Sequence, residues 1–232
     1  TCALPISRIE ALATLEAISN FPEFVPLILK TGSIPRVVTL LEEGLQMDTD
    51  YGAELTQLGL RFFVNIAKVN SGIREIQSQG GIFSLLRCLT LNNHKVQKLS
   101  AQCLALCGRE KDHKRFLVEL RSVRALLSLV ESIDLDIAHY AAEILLNICD
   151  VASVQEDIRL EGGIERLLRP FTYGDDDLLI YLLKILGTLA RNESAALRLC
   201  QNDFLNKIAD LMKLQNIEIK RYAVDCLEKI VR

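Results

Sequence analysis

Three features are missing from this sequence of 232 residues, and each absence excludes a class of protein. It has no excess of positive charge, because 27 Lys and Arg face 30 Asp and Glu, so electrostatics do not favour nucleic-acid binding. It has no uninterrupted apolar run of the roughly 18 residues that span a bilayer, since Lys184 breaks its most apolar stretch, 178–190. The third missing feature is a recognisable catalytic motif.

No nucleophile paired with a base, no phosphate-binding glycine loop and no run of metal ligands is present in the sequence. The pair Gly80-Gly81 is not flanked by a strand pattern, which a nucleotide-binding loop requires. The sequence therefore predicts a protein that is not an enzyme and that uses neither a cofactor nor a metal ion.

Two polar clusters have a functional alternative that we weigh against a structural one. Cys103 and Cys107 share a helical face, but a metal site needs further ligands, so we interpret them as core residues. The run 175–177 is acidic but lacks the spaced ligands of a calcium loop, and it precedes a helix, where carboxylates cap free amides. The histidines occupy separate segments and do not converge: His94, His113 and His139.

The seven cysteines are odd in number, and most lie among apolar residues at helical spacing. This usage is typical of reduced thiols that act as small hydrophobic residues. It predicts an intracellular protein, cytoplasmic in the first place, with the nucleus as the alternative. The cysteines are Cys2, Cys88, Cys103, Cys107, Cys149, Cys200 and Cys226.

A repeat of 41 residues runs through the chain. Its apolar anchor recurs at Ile82, Val123, Ile164 and Leu205, and a second marker lies seventeen residues before each anchor. A period near 40 is typical of helical repeat proteins. The pattern therefore predicts an all-α solenoid.

Each copy of the repeat predicts three helices. The first is short and is predicted to begin at an N-cap residue, with Ser153 and Glu156 also at capping-box spacing. A glycine turn separates it from the second helix, except at Arg121-Ser122 and Asp203-Phe204. The predicted N-caps are Ser71, Asp112, Ser153 and Ser194.

The third helix of each copy is the longest and carries two apolar columns that lie three residues apart and face one core. The first column is Leu15, Phe63, Leu104, Leu145, Leu186 and Leu227. The second column is Ile18, Ile66, Cys107, Ile148, Leu189 and Ile230. Tyr140, Tyr181 and Tyr222 form a third column near the helix starts, where tyrosine either anchors a partner or packs its ring under a loop.

In one copy of the repeat, the interval between the second-helix anchor and the third-helix marker is seven residues longer than in the other copies. The extra residues fall within 42–56. This stretch is acidic and contains two glycines, so we predict a solvated loop extension.

The first six residues read like the translation of a common sequencing adapter, and we interpret 1–6 as non-native sequence. The remainder, 7–232, is predicted to be a single domain of about five repeats. Because the helical pattern is already under way near Ile9 and still continues at Arg232, we expect partial repeats at both ends and a longer parent protein.

The three helices, the glycine turn and the period resemble the armadillo repeat. The segments 79–86 and 161–168 are similar to its second-helix motif, and the resemblance covers about 7–232. HEAT repeats are the alternative, but they have two helices and usually lack the short first helix. The resemblance implies a right-handed superhelix in which the third helices line a concave groove.

The resemblance also implies where a partner binds, although the ligand class differs from that of well-known branches. Importin alpha pairs Trp with Asn on this face, whereas this chain has no Trp and matches Asn in only two copies. A uniformly basic groove, as in beta-catenin, is not supported either. The positions that correspond to the Trp column of importin alpha alternate between basic and acidic residues in this chain. The predicted groove residues are Arg61, Asn65, Gln102, Glu143, Asn147, Lys184, Thr188 and Asp225.

The predicted function is therefore a non-catalytic scaffold or adaptor that binds an extended peptide or a helix of another protein in this groove. One alternative is a regulatory armadillo segment of a larger enzyme of the TIR, kinase or ubiquitin-ligase type. The other alternative is a structural component of a cytoskeletal assembly. Expected partners are other proteins, with intramolecular contact to flanking domains as a further case, and neither nucleic acid nor a membrane.

Overall fold

The computed structural model describes residues 5–109, 111–119, 122–201 and 203–231, and side chains in these ranges except those of residues 5, 6, 111–113 and 116. The described residues form helices and turns without a strand. The chain divides into an N-terminal unit, Thr1–His113, and a C-terminal unit, Lys114–Arg232. The interpretation of residues 1–6 as non-native stays a prediction, because residues 1–4 lie outside the described part.

In the N-terminal unit, a lone helix precedes two sets of three helices. These helices are α1 (Pro5–Ser19), α2 (Val25–Lys30), α3 (Ser33–Gln46), α4 (Asp50–Ile66), α5 (Asn70–Ser78), α6 (Gly81–Leu89) and α7 (His94–Gly108). Helix α8 (Lys111–Glu119) contains the boundary between the units. The third helices α1, α4 and α7 pack on one another in that order.

The C-terminal unit continues the same order of first, second and third helices, of which the third is the longest. Its helices are α9 (Val123–Val130), α10 (Leu135–Ile148), α11 (Ala152–Leu160), α12 (Gly163–Leu168), α13 (Asp176–Leu189), α14 (Glu193–Gln201), α15 (Phe204–Leu211) and α16 (Ile217–Val231). The third helices α10, α13 and α16 again pack in sequence, and α9 packs against α10. The prediction of three helices per copy is confirmed.

The two apolar columns of the third helices form the core where each helix has neighbours. Their members on α4, α7, α10 and α13 are buried, whereas Leu15 and Leu227 are half-buried and Ile18 is exposed.

The glycine turns before the second helices adopt the predicted left-handed backbone. Gly32, Gly80 and Gly162 have φ values of 64°, 77° and 62°, which residues with a side chain rarely adopt. In the copies that lack glycine, Ser122 and Asp203 have φ values of −76° and −66°, and Arg121 lies outside the described residues. Those turns therefore reverse the chain without a left-handed residue at these two positions.

The last copy of the repeat departs from the 41-residue spacing. The anchors Ile82, Val123 and Ile164 are buried as predicted, but Leu205 is 47% exposed. Its neighbour Phe204, which is fully buried, takes the core position instead. The core position of this copy is therefore shifted by one residue relative to the predicted anchor. The missing glycine alone does not cause the shift, because Val123 stays buried after the turn at Ser122, which also lacks glycine.

The predicted N-caps of the first helices were also wrong where they can be examined. Ser71 and Ser153 lie inside α5 and α11, which begin at Asn70 and Ala152, and Glu156 pairs with Arg159 rather than closing a capping box. In α14 the cap is Asn192, whose Oδ1 accepts from the Ser194 amide at 3.0 Å. An N-cap must precede the first helical residue, and these serines come too late. The side chain of Asp112 lies outside the described residues.

The extra seven residues form helix rather than the predicted loop. They lengthen α3 and α4, which leaves only Met47–Thr49 between these two helices. The two glycines permit close contact in this hairpin, since a Cβ on Gly44 would lie 2.8 Å from the Gly52 carbonyl oxygen. Thr56 Oγ1 donates to the same oxygen at 2.8 Å. The extension is thus a tightly packed helical hairpin.

Candidate armadillo groove and adjoining pocket

The predicted groove residues of the C-terminal unit lie on three helices that pack side by side. Glu143 and Asn147 are on α10, Lys184 and Thr188 are on α13, and Asp225 is on α16. All five side chains are half-buried, so each keeps part of its surface in solvent even though its helix packs against one or two neighbouring helices. The third helices of this unit therefore present a continuous polar face.

Asn147 stands out on this face because its side-chain nitrogen is buried and donates to no described residue. A buried amide that lacks a partner costs about 1–3 kcal/mol, so such groups are uncommon. Its neighbours on the face are paired within the protein. Thr188 Oγ1 donates to the Lys184 carbonyl oxygen at 2.9 Å, and Lys229 Nζ lies 2.5 Å from Asp225 Oδ2.

The predicted residues of the N-terminal unit are used differently. Arg61 on α4 is exposed and Gln102 on α7 is half-buried, whereas Asn65 is only 6% exposed. The amide of Asn65 donates from Nδ2 to Ser19 Oγ at 3.1 Å and accepts from Lys68 Nζ at 3.0 Å. The Asn column thus contains one internally bonded amide and one without a described partner.

A pocket of about 390 Å³ opens beside this face of the C-terminal unit, at the amino-terminal ends of α10, α13 and α16. Three carboxylates and one ammonium group line it: Glu143, Asp177, Glu218 and Lys184. Its other walls are rings and one apolar side chain: His139, Tyr140, Tyr181 and Ile180. Sequence reasoning missed this pocket, although the tyrosine column marks the helix ends at which it lies.

Contacts among these side chains fix the shape of the pocket. His139 Nε2 lies 2.6 Å from Asp175 Oδ1, and the His139 ring lies 6.4 Å from that of Tyr181. Lys184 Nζ lies 4.5 Å from the ring centre of Tyr222, a cation–π geometry that directs its charge toward α16. Arg221 donates to the Tyr222 hydroxyl at 2.8 Å. Of the tyrosine column, Tyr140 and Tyr181 face the pocket and Tyr222 supports Lys184.

Asp175 contacts His139, which lines the pocket, and confirms the capping role predicted for the acidic run. Its Oδ1 accepts from the Leu178 amide at 2.8 Å at the start of α13. Partial burial raises the pKa of this carboxyl, but the Leu178 amide and His139 lower it more, so the net pKa lies below its ordinary value. The folded state therefore favours the ionised form of Asp175.

Asp175→Ala should lower the free energy of unfolding at neutral pH by about 1–2 kcal/mol, because the variant loses an N-cap. A folded-state pKa below the ordinary value stabilises the protein above that value, and this stabilisation is lost as pH falls through the folded pKa. The difference between the wild type and the variant should therefore shrink below about pH 4. Urea denaturation from about pH 7 to about pH 3.5 measures it.

Asp175→Asn is the matched control, because asparagine caps a helix as well as aspartate but cannot form an ion pair with His139. It should keep most of the neutral-pH stability and lose most of the pH dependence. A difference between Asp175→Ala and wild type that stays constant across this range would contradict the assignment.

The described cysteine thiols are mostly buried. Burial raises the pKa of Cys88 and Cys226 to about 12 and that of Cys149 to about 11, which keeps these thiols protonated at neutral pH. A hydrogen bond with Cys107 and burial raise the pKa of Cys103. No group of three or more His, Cys, Asp or Glu suited to a metal ion occurs in the described part of the chain. Cys2 and the side chain of His113 lie outside that part.

Within the described ranges, no single helix is long and apolar enough to cross a membrane. The segments 7–19 and 22–30 pass such a test only together, by length and composition, and are bent by 110° relative to each other.

No protein-family model and no curated protein sequence matches this chain. Solved structures do match. A crystal structure of an engineered protein is 25% identical, covers 100% of this chain and 93% of its own, and has a TM-score of 0.81. Computationally designed armadillo repeat proteins for modular peptide recognition are 18% identical over 95% of this chain and 92% of theirs, with a TM-score of 0.82.

A designed armadillo repeat protein in complex with the peptide (KR)4 gives the same identity of 18% and a TM-score of 0.78, with coverage of 95% of this chain and 92% of that chain. This chain has the armadillo-repeat fold. The predicted all-α armadillo solenoid is therefore confirmed. An armadillo repeat is the three-helix unit that the chain contains, which separates it from the two-helix HEAT alternative.

Proposed function

We propose that this armadillo chain is a non-catalytic scaffold that binds an extended peptide segment of another protein on the third-helix face. The observation that carries the proposal is the row of half-buried polar side chains on α10, α13 and α16, with the unpartnered amide of Asn147 among them. The designed armadillo proteins of similar structure, built for peptide recognition and seen with a bound peptide, support the same use of the fold.

Asn147 supplies the sharpest argument for an extended peptide. A carboxamide has both a donor and an acceptor, and it matches the N–H and C=O groups of one peptide unit. In the described conformation this nitrogen is buried, so donation to a peptide carbonyl requires the carboxamide to rotate about its Cβ–Cγ bond. Binding then satisfies a group that the described protein leaves without a partner.

The charges along the face favour specificity over strength. Glu143, Lys184 and Asp225 alternate in sign, so a bound peptide meets attraction and repulsion at fixed positions along its length. Such alternation sets register and rejects wrong partners more than it adds affinity. Affinity would come from many modest contacts distributed over several repeats.

Asn147→Ala should weaken peptide binding by about tenfold or more, which corresponds to about 1.4 kcal/mol, and should leave the melting temperature unchanged or raised. Stability is spared because the variant removes a buried donor without a described partner. Peptides are first selected with the whole chain from a random-peptide phage library. Their dissociation constants are then measured by fluorescence anisotropy.

Asn65→Ala is the matched control, since it changes the same residue type in the same column. Its amide bonds to Ser19 and Lys68, so its loss should cost about 1–3 kcal/mol of stability and leave peptide affinity unchanged. Failure to select any peptide, or equal affinity of the wild type and Asn147→Ala, would overturn the proposal.

A further inference from the structure

We infer that helix α16 associates with helix α1 of a second copy of this chain, so that copies join head to tail. This self-association is independent of peptide binding and goes beyond the proposed function. Its basis is a pair of exposed helix faces whose equivalents elsewhere in the chain pack against each other. The α16 face consists of Val224, Leu227 and Val231, and the α1 face consists of Ala11, Thr14 and Ile18.

The α16 face is apolar and open to solvent. Val224 is 41% exposed, Val231 is 85% exposed and Leu227 is half-buried. These three side chains and Glu228 line a cavity of about 380 Å³. In the copies that contain α4, α7, α10 and α13, the residues at the three equivalent positions are all buried. The α16 face therefore has the composition of a packing surface, although it is open within the described chain.

The equivalent face of α13 shows what packs on such a surface. A Cβ on Gly187, which lies in the middle of this face, would be 3.6 Å from the Cα atom of Cys226 in α16, an ordinary van der Waals contact. The side of α16 that carries Cys226 therefore covers the face of α13. Ala223 and Ile230 lie on the same side of α16, at helical spacing from Cys226. The covered residues of α13 are Leu183, Leu186 and, at the helix end, Ala190.

The α1 face matches the side of α16 that covers α13. The repeat alignment pairs the two sets in this order: Ala11 with Ala223, Thr14 with Cys226, and Ile18 with Ile230. Both sets begin with small residues, which permit close approach of two helices, and end with isoleucine. Thr14 Oγ1 donates to the Glu10 carbonyl oxygen at 2.8 Å, so its hydroxyl keeps a partner when the face is covered. The α1 face is thus an exposed counterpart of a surface that is already used inside the chain.

Helix α1 contacts its own neighbour through a different side. Ser19 Oγ accepts from Asn65 Nδ2 in α4 at 3.1 Å, and Leu12 is buried. Ser19 and Leu12 each follow a residue of the α1 face by one position, which corresponds to about 100° around the helix axis. A cavity of about 390 Å³ opens beside Ala11, between α1 and α3. A second chain can therefore approach the α1 face without displacing α4.

The contact joins two different surfaces, which sets how the assembly grows. A copy that associates through its α16 face still has its α1 face, so the contact itself does not limit the assembly to two chains. One pair of helices buries a small area, which corresponds to a dissociation constant of about 10–100 µM. Repeat proteins that are capped carry polar residues on such faces, and apolar residues there favour association.

Sedimentation velocity of the whole chain from about 1 to about 300 µM tests the inference. The weight-average sedimentation coefficient of the wild type should rise with concentration and exceed that of a dimer. Val231→Glu and Ala11→Glu each place a charge on one face and should weaken association at least about tenfold. An equimolar mixture of these two variants should associate again, but only to a dimer, because one intact α16 face and one intact α1 face remain.

Two matched variants place the same charge elsewhere: Ala17→Glu on another side of α1, and Ile133→Glu at an exposed position after α9. Both should associate within about twofold of wild type. Circular dichroism checks that every variant is folded. Val224→Glu and Thr14→Glu lie on the same two faces and replace a first variant that does not fold.

Four outcomes would overturn the inference. The first is a wild-type chain that stays monomeric over the whole range. The second is association of Ala11→Glu alone at wild-type strength, which would assign the α16 face to a two-fold contact instead. The third is an equimolar mixture that does not associate, and the fourth is equal weakening by the matched variants. The phage selection of peptides decides the proposed function separately from all four.

Discussion

Replacing Phe204 by alanine should lower the free energy of unfolding by about 3–5 kcal/mol, whereas Leu205→Ala should cost less than about 1 kcal/mol. Phe204 is fully buried, and its ring meets that of Phe171 edge-on at a distance of 6.5 Å between ring centres. Its truncation loses buried apolar area, an aromatic contact and the packing around the cavity. Leu205 is 47% exposed and has much less buried area to lose.

This pair of variants decides the rotation of α15 about its axis. The repeat spacing alone assigns the core position to Leu205, while the structure assigns it to Phe204. Chemical denaturation with an unchanged m-value measures both. A larger loss for Leu205→Ala than for Phe204→Ala would contradict the structure and restore the assignment from the spacing.

Leu145→Ala should lower the free energy of unfolding by about 2–5 kcal/mol. Leu145 is fully buried in α10, which packs against both α9 and α13, so the neighbours that would have to collapse into the cavity belong to packed helices. Cavities that cannot collapse give values toward the upper end of this range. Urea denaturation followed by circular dichroism measures the loss.

Leu160→Ala provides the control for this variant. Leu160 ends α11 and is 66% exposed, so the same change in side chain should cost less than about 1 kcal/mol there. A loss below about 1 kcal/mol for Leu145→Ala would mean that the apolar column of the third helices does not form the core.

The 41-residue spacing predicts the helices well because apolar periodicity reports which face each helix buries. It is reliable where local chemistry repeats, as at Gly80 and Gly162, which adopt the left-handed backbone that the turn needs. It is wrong in the last copy, where Phe204 and not Leu205 is buried in α15. A period counts residues along the chain and contains no information on the rotation of a helix about its axis, which packing sets.

The extension between α3 and α4 is a second feature that the sequence pattern predicts wrongly. Acidic residues and two glycines predict a solvated loop, since both features are common in loops. In the structure the glycines lie where the two helices touch, and a Cβ on Gly52 would lie 2.7 Å from the Met47 carbonyl oxygen. A glycine that permits close approach cannot be distinguished in sequence from one that ends a helix.

The sequence by itself determines the repeat, the order of three helices and the residues of the third-helix face, because each of these depends on spacing within one copy. Only the tertiary structure decides what those residues do. It bonds Asn65 to Ser19 and Lys68, leaves the Asn147 amide without a described partner, and brings Asp177 and Glu218 to one pocket. The reason is that hydrogen-bond satisfaction and local charge depend on side chains from helices 40 or so residues apart, and their rotations are set by packing.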